Sequence, residues 1–102
     1  MKTPVKLILW WDLIEDKQQE FFEFNQREFI PTIREMGIEP VEAWYTAYGN
    51  WPQFQVAVVS ESAERMNTAL TSPEWKALEN RMLEYVENLE SKVVTARNAF
   101  QI

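Results

Sequence analysis

A chain of 102 residues supplies one modest hydrophobic core and not two. Sixteen acidic against ten scattered basic side chains leave a formal charge of −6, which argues against nucleic acid and against an anionic membrane surface, since both need clustered Lys and Arg. With neither Cys nor His, the chain has no disulfide, no thiolate or imidazole metal site, no His-ligated haem and no histidine-centred triad.

Residues 5–11 form an apolar run with Lys6 as its one charge, bounded by Pro4 and Asp12, and read as a strand apolar on both faces. The run is too short for a secretory signal core and no stretch is long enough to cross a bilayer, so a cytoplasmic protein is expected. Asp16, with Gln19 three residues on, offers a capping box for a helix from Lys17. Phe22, Phe29, Ile33 and Met36 recur on one face of that helix, flanked by Phe21. Pro31 should kink or divide it, and Gly37 closes it.

Residues 40–48 and 54–60 alternate and carry β-favouring side chains, with Gly49-Asn50-Trp51-Pro52 as the turn of a hairpin between them. A short helix is predicted over residues 62–70. Ser72-Pro73 then opens another, Ser as N-cap and Pro at the first helical position. Its apolar positions are Trp75, Leu78, Met82, Tyr85, Val86 and Leu89, and residues 91–102 return to strand. The order strand, helix, strand, strand, helix pair, strand is the split βαβ arrangement: an α+β, ferredoxin-like βαββαβ domain with a four-stranded antiparallel sheet over residues 1–102.

Such a sheet has a second face, and alternation predicts its residues. Val41, Ala43, Tyr45, Ala47, Phe54, Val56 and Val58 fall on the helix side. Ile8, Trp10, Trp44, Thr46, Tyr48, Ala57, Val59, Val93 and Thr95 fall on the other, with Lys6, Glu42, Gln55 and Arg97. That face is too apolar for water and too polar for a dry core, which suits pairing with a second copy of itself around a shared interior.

Phe29-Ile30-Pro31 late in the first helix, Gly37 at its end, Gly49 in the hairpin, Glu61-Ser62-Ala63-Glu64-Arg65 and Ser72-Pro73-Glu74-Trp75 together resemble the NIPSNAP branch of the dimeric α/β barrel superfamily over nearly the whole chain. The pattern departs where relatives often carry Trp then Tyr at the end of the third strand; here those places hold Val58 and Ser60. The resemblance implies a ferredoxin-like protomer and a barrel made by two subunits, with no single activity attached.

The candidate ligand-binding residues are Trp10, Glu42, Trp44, Tyr48 and Arg97. Trp10, Trp44 and Tyr48 would wall a pocket for a flat apolar molecule. Arg97, well inside the last strand, would offer a planar donor fork to an anion or carbonyl, or pair with Glu42. Arg65 is expected to brace the link from the third strand to the short helix, reaching a backbone carbonyl or Glu61. The acidic group Asp12, Glu15 and Asp16 lacks calcium-loop spacing and reads as helix-start chemistry. Two functions follow: a homodimer without cofactor or metal that binds a small apolar or aromatic molecule, or a cofactor-independent monooxygenase or isomerase acting on an aromatic or polyketide-like substrate. Only Glu42, Lys6 or Tyr48 could move a proton in that interior.

Overall fold

The computed structural model describes residues 3–46 and 53–95. The first strand, β1 (Val5–Leu13), runs two residues beyond the predicted apolar run. Its odd-numbered side chains, Val5, Leu7, Leu9, Trp11 and Leu13, are all buried, which fixes the helix side of the sheet. The remaining strands are β2 (Glu39–Thr46), β3 (Gln53–Ser60) and β4 (Val86–Thr95). They pair antiparallel in the order β2-β3-β1-β4, the ferredoxin-like arrangement.

The first helix departs from expectation in an instructive way. It begins at Gln18 with Lys17 at the N-cap and no side-chain cap, so Asp16 does not serve that role. It runs as α1 (Gln18–Phe24), widens into a π-helical turn over Asn25–Phe29, and resumes as α2 (Ile30–Glu35). Pro31 has no N–H and its ring crowds the carbonyl four residues back, so a continuous α-helix is disfavoured there. The turn widens instead, and the Ile30 N–H reaches Asn25 O. The extra residue moves everything upstream back by one position. Phe21 and Phe24 therefore take the core positions, beside Phe29 and Ile33, while Phe22 is half exposed.

Gly37 ends α2 as predicted, at φ +82°. The Ile38 N–H bonds Ile33 O at 2.9 Å and the Gly37 N–H bonds Arg34 O at 3.0 Å, a Schellman closure that brings fully buried Ile38 onto fully buried Ile33. Glycine is required here twice over. A Cβ at this position would lie 2.8 Å from the Arg65 guanidinium as well as in the left-handed region. Arg65 also donates from Nε to Glu61 Oε1 at 3.3 Å, so it braces the β3 to α3 connection as expected.

α3 (Ala63–Leu70) starts one residue later than expected, with Ser62 outside it as the N-cap whose Oγ accepts from the Arg65 N–H. α4 (Pro73–Met82) starts on the predicted cap, Ser72 Oγ accepting from the Trp75 N–H. α4 stops earlier than its periodicity suggested. Val86 and Leu89 belong to β4, because the Ile14 N–H bonds Tyr85 O at 3.0 Å and Leu13 pairs with Val86, drawing the chain onto the sheet edge. The core lies between the helix side of the sheet and Phe21, Phe24, Phe29, Ile33, Met66, Ala69, Trp75, Leu78 and Met82. Val58 and Ser60 are buried in it, and Ser60 Oγ is held by the backbone of Ser62. Among the described residues no helix is long and apolar enough to cross a membrane.

Candidate functional site

The pairing register lays out the other face of the sheet as a grid. One row across it is Glu90, Trp10, Gln55 and Trp44; the next is Lys92, Ile8, Ala57 and Glu42; a third is Val94, Lys6, Val59 and Glu39. Among the described residues no helix covers these positions. Trp44 remains 47% exposed, and Gln55, Glu90 and Lys92 are exposed as well.

Two indoles thus stand in one row, on strands separated by β3, so their backbones lie about 10 Å apart. Trp10 is fixed from its polar end: its Nε1 donates to Glu90 Oε2 at 3.1 Å. Glu42 neighbours Trp44 on the same strand face, and its Oε1 accepts from Lys6 Nζ at 2.8 Å. This ion pair passes over β3, whose Ala57 is only 1% exposed beneath it. Lys6 itself is 3% exposed, a buried ammonium on the face that no helix covers. A charge so placed is costly without a partner, and the Glu42 carboxylate is the compensation. Arg97, the other partner of the expected pairing with Glu42, lies outside the described residues.

The predicted site residues therefore divide. Trp10, Glu42 and Trp44 share one face and two adjacent rows. Tyr48 and Arg97 lie outside the described residues. The last strand also carries a correction. Val93 pairs with Leu7 and Thr95 with Val5, so both sit on the helix side, and Val94, Lys92 and Glu90 take the open face. Two adjacent valines give alternation no phase, and the register shift between Trp10 and Asp12 sets it instead. The placement of Arg97 followed the same alternation as Val93 and Thr95.

Sequence reasoning missed Glu90 as the partner of Trp10, the Lys6–Glu42 pairing, and Asp12. Asp12 falls on the open face one row beyond Trp10 and is 9% exposed. Asn88 Nδ2 donates to its Oδ2 at 3.0 Å, while Oδ1 has no hydrogen-bond partner. Among the described residues no three acidic side chains converge on a metal-sized position. On the helix side, a cleft of about 310 Å³ between α2 and α3 is lined by Thr32, Met36, Arg65 and Ser72, and one of about 270 Å³ lies between the π turn and β2. The first of these is itself polar, with Glu35, Thr68 and Glu74 also in its lining.

Comparison with solved structures places this geometry. A NIPSNAP family protein from Agrobacterium tumefaciens superposes with a TM-score of 0.68 at 17% identity, over 93% of this chain and 87% of that one. A NIPSNAP domain protein from Burkholderia xenovorans gives 0.67 at 18% identity, over 88% and 91%. The chain has the NIPSNAP fold. A Nitrosomonas europaea protein provisionally assigned as an antibiotic biosynthesis monooxygenase superposes as well, with a TM-score of 0.69 at 12% identity over 93% and 91%. The NIPSNAP fold is thus shared with proteins of more than one description. No protein-family model matches the sequence, and no curated protein does.

Proposed function

We propose that the chain is a single-domain, cytoplasmic homodimer whose open sheet faces close on each other and bind a small apolar or aromatic molecule between them. The observation that carries this reading is the row of Trp10 and Trp44 on a face that no described helix covers, with the half-buried Lys6–Glu42 pair in the rows beside it. An exposed indole next to fixed polar groups is the composition of a ligand wall. The ligand-facing residues are Trp10, Glu42 and Trp44, with Tyr48 added from the sequence. Arg97, which lies outside the described residues, is likewise carried from the sequence as a candidate.

A second reading, a cofactor-independent monooxygenase or isomerase, is favoured by the Glu42 carboxylate. One of its oxygens is held by Lys6 at 2.8 Å, and the group stands beside Trp44, where a base could meet a bound ring. The likeness to the Nitrosomonas europaea protein supports the same reading at the level of fold.

Light scattering combined with a titration of 1-naphthol, followed by tryptophan fluorescence, tests the binding reading. Twice the chain mass at micromolar protein and a saturable change in fluorescence are expected. A monomer mass throughout, or a response that never saturates, overturns it. Turnover of the naphthol under air, abolished by Glu42→Gln, would favour the second reading over the first.

A further inference from the structure

The cleft of about 310 Å³ between α2 and α3 stands at the lower end of the size that small-molecule sites occupy. Its wall includes a guanidinium that is held in place but only partly used. The Arg65 side chain lies against the backbone of Gly37, so closely that a Cβ there would meet Nη1 at 2.8 Å and Cδ at 2.9 Å. Its Nε donates to Glu61 Oε1 at 3.3 Å, while Nη1 and Nη2 make no hydrogen bond among the described residues. Glycine on one side and a carboxylate on the other thus order the group before any ligand arrives, which lowers the cost of binding to it. The end of its planar donor fork remains free.

Two carboxylates line the same cleft. Glu35 and Glu74 are both exposed, and neither belongs to an ion pair among the described residues. Thr32 and Thr68 add hydroxyls to the lining, and Met36 and the buried Ala69 supply an apolar wall. The Arg65 side chain is 49% exposed, so a ligand reaches these groups without any rearrangement of the chain.

Charge complementarity selects the ligand. A simple anion would meet Arg65 but also two carboxylates. A simple cation would meet the carboxylates but also Arg65. A molecule carrying both signs gives every fixed charge of the lining an opposite one.

We infer that this cleft binds a small aliphatic zwitterion, an amino acid or a close chemical relative. Its carboxylate accepts from the terminal nitrogens of Arg65, its ammonium donates to Glu35 or Glu74, and its chain lies on Met36 and Ala69. The cleft is on the helix side of the sheet, opposite Trp10 and Trp44, so it is a second site that stands or falls independently of the open-face reading.

The test titrates three probes of one chain length, L-norleucine, hexanoate and hexylamine, into the full chain and follows its backbone amides by NMR. Norleucine is expected to shift the amides of Gly37, Arg65 and Ala69 saturably and to bind about five- to tenfold tighter than either singly charged probe. That margin is the worth of one charge-assisted hydrogen bond at a half-exposed site. Arg65→Met keeps much of the stem that covers Gly37 and removes the charge, so it should erase the advantage of norleucine over hexylamine. Glu35→Gln combined with Glu74→Gln, both exposed positions, should erase the advantage over hexanoate, and this pair decides if Arg65→Met does not fold. Hexanoate or hexylamine binding as tightly as norleucine overturns the inference. So does a norleucine affinity indifferent to either change, a set of shifts confined to the amides of Trp10 and Trp44, or the absence of a saturable shift with every probe.

Discussion

Trp44 and Tyr45 are consecutive aromatics on β2, almost equally exposed at 47% and 51%, and they point to opposite sides of the sheet. Tyr45 contacts Phe54 on the helix side with ring centroids 5.0 Å apart; Trp44 stands on the open face across from Gln55. Serine substitutions at the two positions therefore remove similar exposed aromatic area from two different surfaces. If open faces pair, only one of them should weaken the dimer. A tryptophan presents about 250 Å², so the exposed half of Trp44 offers about 120 Å², which at about 25 cal/mol per Å² is about 3 kcal/mol of burial. Two-fold symmetry counts it twice, for about 6 kcal/mol gross. Ordering costs and imperfect contact commonly consume half of such a sum, leaving roughly a hundredfold increase in the dimer dissociation constant.

Sedimentation velocity across a concentration series reads this directly. Trp44→Ser should move the monomer–dimer midpoint by roughly two orders of magnitude. Tyr45→Ser should leave the midpoint in place while lowering the melting temperature, because its lost contact with Phe54 is internal to one chain. Equal shifts from the two variants, or a shift from Tyr45→Ser alone, would refute pairing through the open face. A wild-type chain that stays monomeric at every concentration would refute pairing of any kind.

Gly37→Ala should destabilise by about 1–2 kcal/mol from the left-handed backbone alone, with a further loss from displacing Arg65. Adding Arg65→Ala should recover that further loss and not the backbone cost, which a thermal double-mutant cycle separates. Ser72→Ala removes the acceptor of the Trp75 N–H and the hydroxyl donor to Ala69 O at 2.6 Å. Its expected cost is about 1 kcal/mol, a drop of roughly 4–8 °C in melting temperature by calorimetry.

The sequence carried the fold wherever a local rule had one solution. Ser72 precedes Pro73 and a helical run with a free N–H three residues on, and its cap is where the pattern put it. Gly37 was legible for the same reason, since few residues close a helix through a positive φ. The errors fall where one residue more or less changes the phase of everything after it. The π turn over Asn25–Phe29 exchanged Phe22 for Phe21 and Phe24 in the core. Nothing in the spacing of the phenylalanines reveals that insertion; Pro31 announces that the helix is disturbed but not by how much. At the far end, Val86 and Leu89 continue a helical period that pairing with β1 overrides.

The site was legible in proportion to how firmly each strand's phase was set. The odd-numbered side chains of β1 are all buried and β2 is tied to β1 through β3, and Lys6, Trp10, Glu42 and Trp44 were all assigned to the correct face. Their partners were another matter, because partners lie across strands and depend on register rather than on alternation. Lys6 and Glu42 are 36 positions apart and Trp10 and Glu90 are 80 apart; no single-strand pattern links either pair. β4 supplied the largest error for the largest reason. Its phase is set by a slip at Asn88, a residue that in sequence looks like an ordinary polar position between Val86 and Leu89. The same slip turns the Asn88 amide onto Asp12, so one irregularity both hid the correct face of the last strand and built the most unusual polar group on it. A bulge that costs regular pairing is retained where re-aiming a side chain serves a purpose. Here it leaves one oxygen of a buried carboxylate without a hydrogen-bond partner, on the strand face that also carries Trp10.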